Sequence, residues 1–354
     1  MNKLFFALGV SALSPLALAK PAIVTSISPV SMIVTAIAGD RADVQQIVTN
    51  SASPHDYAMR PSDLRKISNA DAVVWVGESL ESFLEKPLHN AGKEDASIEW
   101  LALKGMDLHN YGEHGDHDDH EDHDHDDHED HDHDEHEDHD HDEHEDHDHD
   151  EHEGHDHDDH EGHDHDEHEG HDHDAHGHEG HDHSGVDGHV WLSPENAKVL
   201  AEAVTMRLVY LDSDNASYYK GNLAKFEEGL AAKDAEIRKA LHEVADVPYI
   251  VFHDAYSYFE EHYGLNNVGE VAVSPERKPG AKKIAALRHQ IEENGVQCVF
   301  REPQFSPAIV DSLLEGTEVK TGVLDPLGSD VKVSQDAYFS FLSMLSGQFI
   351  SCLG

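Results

Sequence analysis

Short apolar runs alternate with amphipathic stretches along most of the chain. The first half contains four runs rich in β-branched and aromatic residues, which predict strands at 22–26, 44–48, 72–76 and 98–103. The stretches between them have helical spacing and predict helices at 30–38, 60–67 and 79–90. This alternation is typical of parallel βα units, in which binding residues gather at the carboxyl ends of the strands.

The second half repeats the same order of elements. Its apolar runs predict strands at 249–252, 268–273, 297–300 and 321–324. Its amphipathic stretches predict helices at 256–263, at 281–293, from 306 onward and at 334–352. We therefore expect a second βα lobe.

Two helices are predicted between these halves. Ser193 is a favourable N-cap residue and Pro194 a favourable first helical residue, so one helix runs from there to about residue 212. The next helix, at 216–244, would span about 40 Å at a rise of about 1.5 Å per residue. The predicted fold class is α/β, with two small βα lobes joined by a long rigid helix and a cleft between the lobes. We place the N-terminal lobe at 20–215, the linker helix at 216–244 and the C-terminal lobe at 245–354.

One stretch, the His-rich tract at 113–183, interrupts the first lobe. Of its 71 residues 27 are His, 37 are Asp or Glu, and the remainder are six Gly and one Ala. Without apolar surface to bury, it is predicted to be a disordered loop. Imidazole and carboxylate groups bind divalent cations. An octad of the form His-Asp-His-Asp-x-His-Glu-x repeats six times from His123 to Gly170, which favours metal capture over a merely solvated acidic linker.

The His-rich tract also carries most of the charge. Removing its 37 acidic residues from the formal charge of −50 leaves about −13, an ordinary value for a soluble protein. A net negative surface disfavours binding to nucleic acid and to anionic membranes.

Residues 1–19 have the features of a secretory signal peptide. They contain Lys3, an apolar core at 4–18, and the small residues Ala17 and Ala19 before the expected cleavage point. No later run approaches the roughly 18 apolar residues that a membrane span requires. We expect the mature chain to be exported and soluble.

The chain contains two cysteines, Cys298 and Cys352. In an oxidising compartment such a pair predicts a disulfide, here between the last helix and a strand; the alternative is two buried free thiols. A bridge that closes a loop of this length would stabilise the fold by roughly 4 kcal/mol.

Three histidines outside the tract, His55, His189 and His253, stand at predicted loop positions. Each one alone is more typical of a hydrogen-bonded structural residue. Together, three imidazoles from two lobes match the nitrogen ligands of a tetrahedral zinc site. We therefore predict that they bind one metal ion in the cleft.

Five motifs stand out along the chain: Ser53-Pro54-His55-Asp56-Tyr57, Gly188-His189-Val190-Trp191-Leu192-Ser193-Pro194, Val251-Phe252-His253-Asp254-Ala255-Tyr256, Cys298-Val299-Phe300-Arg301-Glu302-Pro303-Gln304-Phe305 and Leu324-Asp325-Pro326-Leu327-Gly328. Together they closely resemble a known family, the zinc-specific periplasmic solute-binding proteins of ABC transporters, which belong to the metal-receptor class. The resemblance covers the whole mature chain in order.

This resemblance implies two lobes joined by a rigid helix, with the metal held between them. It makes His55, His189 and His253 zinc ligands, and the cysteine pair resembles the disulfide of the family. It further implies a monomeric periplasmic receptor, which captures Zn²⁺ as its transported ligand and delivers it to an inner-membrane ABC zinc permease.

The fourth zinc ligand stays open. Some related receptors have an acidic residue directly before the first His, but here that residue is Pro54, whose side chain has no ligand atom. The candidates are water and Asp325, because related receptors use an acidic residue at the matching strand end; Asp325 could instead orient the turn before Pro326. Manganese-binding relatives replace the third imidazole with a carboxylate, so His253 favours zinc, although copper or nickel would bind three imidazoles at least as well.

Two other functions fit parts of the sequence. Three imidazoles and a water also form catalytic zinc sites, but no obvious general base stands beside any of the three histidines, so we expect no enzyme. The other alternative is a zinc-buffering protein or metallochaperone that acts through the His-rich tract. Because the tract is inserted shortly before His189, we hypothesise that it gathers zinc for the cleft.

Overall fold

The computed structural model describes residues 20–111, 185–272 and 278–354. The predicted signal peptide and the His-rich tract both lie outside the described residues. Within these ranges the strands form two four-stranded sheets, and every strand pair is parallel. No described helix is both long and apolar enough to cross a membrane.

The first sheet is built from the first half of the chain. Its strands are β1 (Ala22–Thr25), β2 (Asp43–Gln46), β3 (Ala72–Trp75) and β4 (Ser97–Glu99). They lie in the order β2-β1-β3-β4. The helices of this lobe are α1 (Ser28–Ala38), α2 (Pro61–Asn69), α3 (Glu78–Glu81) and α4 (Glu85–Asn90).

Two elements of the first lobe differ from their predicted extent. The helix predicted at 79–90 is divided by a 3-10 turn at Ser82–Leu84, and Pro87 cannot donate a main-chain hydrogen bond to the carbonyl four residues earlier. The strand predicted at 98–103 ends at Glu99. The chain turns there, because the amide of Leu103 donates to the carbonyl of Trp100 at 3.0 Å.

The two helices predicted between the lobes are present as α5 (Pro194–Leu211) and α6 (Ala216–Leu241). The hydroxyl oxygen of Ser193 accepts a hydrogen bond from the amide of Asn196 at 3.2 Å, so α5 begins at the predicted N-cap. With 26 residues, α6 spans about 40 Å. Its buried positions follow helical spacing: Tyr219, Asn222, Phe226, Leu230, Ile237 and Leu241.

The second sheet repeats the topology of the first. Its strands are β5 (Tyr249–His253), β6 (Asn267–Ala272), β7 (Cys298–Arg301) and β8 (Lys320–Val323), in the order β6-β5-β7-β8. The helices are α7 (Ser257–Tyr263), α8 (Ala281–Glu293), α9 (Ala308–Leu314) and α10 (Ala337–Leu353). In each sheet the connections diverge to opposite sides at the first strand, which opens a crevice at the carboxyl ends of the strands.

One hydrophobic core joins the two sheets. The helices α6 and α10 pack on each other and on α1, and their buried side chains belong to the same cluster as β1 and β3. That cluster continues to Tyr249, Val251 and Phe300 of the second sheet. Since apolar contacts run without interruption between the lobes, separating the lobes would expose apolar surface to water. The domain boundaries at 215 and 244 stay predictions.

The predicted disulfide is present between Cys298 on β7 and Cys352 on α10, with Cα atoms 6.1 Å apart. Both cysteines are buried in the shared core, so the free-thiol alternative is wrong. Gly322 on β8 permits this close approach. A Cβ atom at Gly322 would lie 2.6 Å from the Phe300 ring and 3.0 Å from the Cβ atom of Cys352.

The double substitution C298S/C352S is expected to lower the free energy of unfolding by roughly 4 kcal/mol, because the bridge closes a loop with a sequence separation of 54. Urea unfolding followed by circular dichroism measures this loss. Reductant should shift the wild-type midpoint to that of the variant and leave the variant itself unchanged. Equal midpoints for the oxidised wild type and the variant would contradict the expectation.

Glu81 is a fully buried carboxyl group at the carboxyl end of the first sheet. Its Oε2 accepts a hydrogen bond from the amide of Val76 at 2.8 Å. Burial raises the pKa of Glu81 to about 7, although hydrogen bonds from the main chain lower it in part. The folded chain therefore holds this proton at pH values where the unfolded chain has released it.

The contribution of Glu81 to the free energy of unfolding should consequently fall as the pH rises from about 4.5 to about 7, and level off above that range. The substitution E81Q removes the titrating group, so the difference in stability between E81Q and the wild type should shift in favour of E81Q when the pH is raised from 5 to 8. Urea midpoints at both pH values test this. The exposed Glu202 provides the control variant E202Q, which should show no such relative gain; an equal pH response of E81Q and wild type would refute the assignment.

Candidate metal centre

The structure brings together the three histidines that the sequence singled out. His55 lies in the loop after β2, His189 directly precedes a 3-10 turn at Val190–Leu192, and His253 is the last residue of β5. All three are at least 95 % buried. Their candidate ligand atoms lie within 4.8 Å of one another, and the ring centroids are 5.2 to 5.6 Å apart.

Each histidine is positioned by its local backbone. In the loop that carries His55, the Tyr57 hydroxyl donates to the carbonyl of Ile47 at 3.1 Å, which ties the loop to the end of β2. Gly188 lets the chain pass close to α3, because a Cβ atom there would lie 3.0 Å from the Cβ atom of Leu80. His253 stands at the carboxyl end of the strand where the order of the second sheet reverses.

Two buried carboxylates fix the orientation of two of the rings. The Nδ1 atom of His189 lies 2.6 Å from Oδ1 of Asp187, and the Nδ1 atom of His253 lies 2.7 Å from Oε1 of Glu302. An ionised carboxylate only accepts hydrogen bonds, so each ring places its proton on Nδ1 and keeps the lone pair of Nε2 available for a metal. This carboxylate–histidine arrangement is typical of metal-binding histidines.

The distance between the two Nε2 atoms matches a shared zinc ion. The Nε2 atoms of His189 and His253 are 3.3 Å apart. Two nitrogens bound to one tetrahedral zinc, each at about 2.0–2.1 Å, lie about 3.3–3.4 Å from each other. These two rings are therefore already spaced as ligands of one ion.

Asp187 remains ionised in spite of its burial. Burial by itself raises its pKa, but the electrostatic interaction with His189 and the hydrogen bonds from His189 and Ser257 lower it by more, so the pKa lies below its usual value. The Ser257 hydroxyl donates to Oδ2 of Asp187 at 2.6 Å. Since Ser257 belongs to α7, this contact ties the segment that carries His189 to the second lobe.

The cavity in front of the histidines is very small. Its volume is about 10 Å³, which is about the space that one water molecule needs. Much of its wall is apolar and includes Trp191, Phe305 and Pro326. The Phe305 ring packs edge-on against the His253 ring at 6.0 Å. In this conformation the cavity has room for about one water-sized group, so it is too small for an organic ligand.

Asp325, the candidate fourth ligand, does not belong to the group of ligand atoms that meet within 4.8 Å. Its carboxylate accepts hydrogen bonds from the amides of Leu327 and Ser329 at 3.1 and 2.6 Å, and from Nε2 of Gln304 at 2.9 Å. These contacts orient the turn around Pro326, as the alternative interpretation expected. The identity of the fourth ligand stays a prediction.

Sequence reasoning did not assign roles to Asp187 and Glu302. Asp187 stands two residues before His189, a spacing that allows a carboxylate to reach the ring of the following histidine. Glu302 follows β7, the strand next to β5, so its side chain can reach the ring at the end of β5. The signals that could have found them were an acidic residue two positions before His189 and another at the end of the strand predicted next to the one that carries His253.

Comparison with known proteins places the chain in a family. A family model described as ZnuA, "Zinc-uptake complex component A periplasmic", matches residues 23–352. A relative from Haemophilus influenzae named "High-affinity zinc uptake system protein ZnuA" is 41 % identical over 355 residues, covering 100 % of this chain and 99 % of the relative. The protein of the same name from Yersinia pestis is 35 % identical over 347 residues, covering 96 % and 93 %.

Solved structures confirm the fold class predicted from the sequence. A crystal structure of ZnuA aligns with a TM-score of 0.67 at 21 % identity, covering 95 % of this chain and 100 % of that one. AdcAII from Streptococcus pneumoniae aligns with a TM-score of 0.64 at 21 % identity, covering 93 % and 98 %. The match of the family model and the identity to full-length relatives show that the chain belongs to the ZnuA family of periplasmic zinc-uptake complex components.

Proposed function

We propose that this protein is a periplasmic receptor that binds Zn²⁺ through His55, His189 and His253 and delivers it to an ABC-type permease in the inner membrane. The observation that carries the proposal is the 3.3 Å separation of the two Nε2 atoms whose rings are oriented by buried carboxylates. The family, whose relatives are named as zinc uptake proteins, supports zinc as the cargo and the periplasm as the location.

The chemistry of the site supports zinc over harder cations. Three imidazole nitrogens suit borderline divalent ions, whereas calcium and magnesium prefer oxygen ligands. The two carboxylates behind the rings, Asp187 and Glu302, contribute negative charge without occupying ligand positions. A divalent cation would therefore be attracted electrostatically and bound through nitrogen.

The small cavity supports a receptor rather than a hydrolase. A catalytic zinc needs room for its substrate beside the metal. A volume of about 10 Å³ leaves no room for an organic substrate. The cavity therefore favours a protein that carries the ion itself.

Delivery requires that the buried ion leave the site. His55 belongs to the loop between β2 and α2. Moving that loop would remove one of three ligands without separating the shared core of the lobes.

The His-rich tract alone would account for zinc binding if the protein were a buffer. Deletion of 113–183 separates the two functions, and the antiparallel bridge between Asn110 and Val186 places the new ends next to each other. Among the relatives, a ZnuA deletion mutant has been solved with zinc bound. A receptor keeps its tight site after the deletion, whereas a buffer loses it.

Calorimetric zinc titration should therefore show one tight site in the tract-deleted protein and additional weaker sites in the full chain. In the deleted background, H55A, H189A and H253A should each weaken the tight site by at least about 100-fold, because loss of a ligand exceeds the 10–100-fold cost of losing an outer contact. The exposed His289 on α8 provides the control variant H289A. Loss of the tight site on tract deletion, or its persistence in the triple variant H55A/H189A/H253A, would contradict the receptor function.

The substitution E302A is expected to weaken zinc binding about 10- to 100-fold, because His253 loses the acceptor that fixes its Nδ1 proton and its ring orientation. Competition with a zinc-chelating fluorophore measures the change. E302Q should weaken zinc binding less, since its amide oxygen can still accept a hydrogen bond from Nδ1 of His253. The exposed Glu315 provides the control E315A, and an effect of E302A no larger than that of E315A would argue against this role.

A further inference from the structure

Gln304 lines the wall of the metal cavity, and one of its two side-chain polar atoms is not hydrogen-bonded to any described residue. The other polar residues of the wall besides the histidines are Ser53 and Glu302. Ser53 accepts a hydrogen bond from the amide of His55, and Oε1 of Glu302 is paired with Nδ1 of His253, while its Oε2 has no hydrogen-bond partner in the described part of the chain. Among the described residues, the buried Oε1 of Gln304 has no hydrogen-bond partner.

The orientation of the Gln304 amide follows from its neighbours. Its Nε2 donates to Oδ1 of Asp325 at 2.9 Å and to the hydroxyl oxygen of Ser329 at 3.1 Å. Because a carboxylate accepts and cannot donate, the nitrogen must face Asp325 and the oxygen must face away from it. Asp325 is itself fixed by the amides of Leu327 and Ser329, so this orientation is held from behind.

A buried carbonyl oxygen without a partner is rare in proteins and usually marks the place of a water or ligand. The cavity has about the volume of one water molecule. A zinc ion with three imidazole ligands has a fourth tetrahedral position, which water commonly fills, and a metal-bound water is a hydrogen-bond donor. The donor that the site lacks is therefore the one that a bound zinc would bring.

We infer that Gln304 is a positioning residue whose Oε1 accepts a hydrogen bond from the water at the fourth coordination position of the zinc ion. Asp325 then acts through Gln304 and not as a ligand. The inference rests on the proposed function of the three-histidine site. It gives a role to both candidates for the fourth ligand, water and Asp325. Water is the ligand, and Asp325 orients the Gln304 amide that holds the water.

The same network reaches the loop that carries His55. The Ser329 hydroxyl donates to the carbonyl of Asn50 at 2.8 Å, and Nδ2 of Asn50 donates to the carbonyl of Ser329 at 3.0 Å. Asn50 lies in the loop between β2 and α2. Gln304, Asp325 and Ser329 thus connect the fourth coordination position to the loop whose movement would release the ion.

The test compares Q304M with Q348M in the full chain. Met keeps the length of Gln without its amide, and Gln348 provides a matched control because its Oε1 accepts from the amide of Asp325 at 3.0 Å while its side chain is not part of the cavity wall. Zinc affinity is measured by chelator competition, and coordination by the visible absorption of the Co²⁺-loaded protein. The triple variant H55A/H189A/H253A binds metal only through the other histidines of the chain. Its spectrum and its binding curve are therefore subtracted from those of the other proteins.

Q304M should weaken zinc binding about 10-fold and alter the cobalt bands, while Q348M retains the wild-type affinity and spectrum. Weaker binding with an unchanged cobalt spectrum, or equal changes in both variants, would overturn the inference, since either result indicates a structural role. A D325N variant that alters the spectrum while Q304M does not would identify Asp325 as the ligand and also overturn it. If the triple variant keeps the tight site, the proposed function fails irrespective of Gln304.

Discussion

Two buried hydrogen bonds between histidine and carboxylate determine what this protein can bind. Asp187 and Glu302 are almost fully buried, and burying a carboxylate is unfavourable unless it is paired. Their partners are the Nδ1 atoms of His189 and His253, so pairing the carboxylates also fixes the side of each ring that faces the cavity. The negative charge of these two carboxylates lies behind the rings, and a cation bound in front of the rings would balance it. The same contacts therefore preorganise the nitrogen ligands and attract the ion.

The scaffold holds these pairs because it is anchored across the lobes. The indole nitrogen of Trp191 donates to the carbonyl of Pro326 at 2.7 Å, and the Tyr338 hydroxyl donates to the carbonyl of Trp191 at 2.8 Å. The segment that carries His189 is thus bound to the second lobe and to the last helix, in addition to the contact between Ser257 and Asp187. With one core cluster shared by both sheets, these contacts favour movement of a loop over rotation of whole lobes.

Much of the architecture was predictable because it depends on local patterns. The βα alternation, the start of α5 at Ser193 and Pro194, and the helix at Ala281–Glu293 all follow from hydrophobic periodicity and capping chemistry, which act over a few residues. Errors occurred where a local break outweighed the pattern, as at Pro87 and at the turn that ends β4. The disulfide was predictable from the number of cysteines, and its pairing needed no geometry because only two are present.

The sequence by itself determined the two βα halves, the long helix between them, the cysteine pair and the three histidines in or beside loops. Only the tertiary structure decided which nitrogen of each ring is available, that Glu302 orients His253 across 49 residues of sequence, and that Asp325 faces Gln304 and a turn rather than the histidine cluster. The reason is physical. Residue type and spacing fix which groups stand at the carboxyl ends of strands, but the choice of hydrogen-bond partner depends on distances of a few tenths of an ångström between segments that meet only after the core has formed.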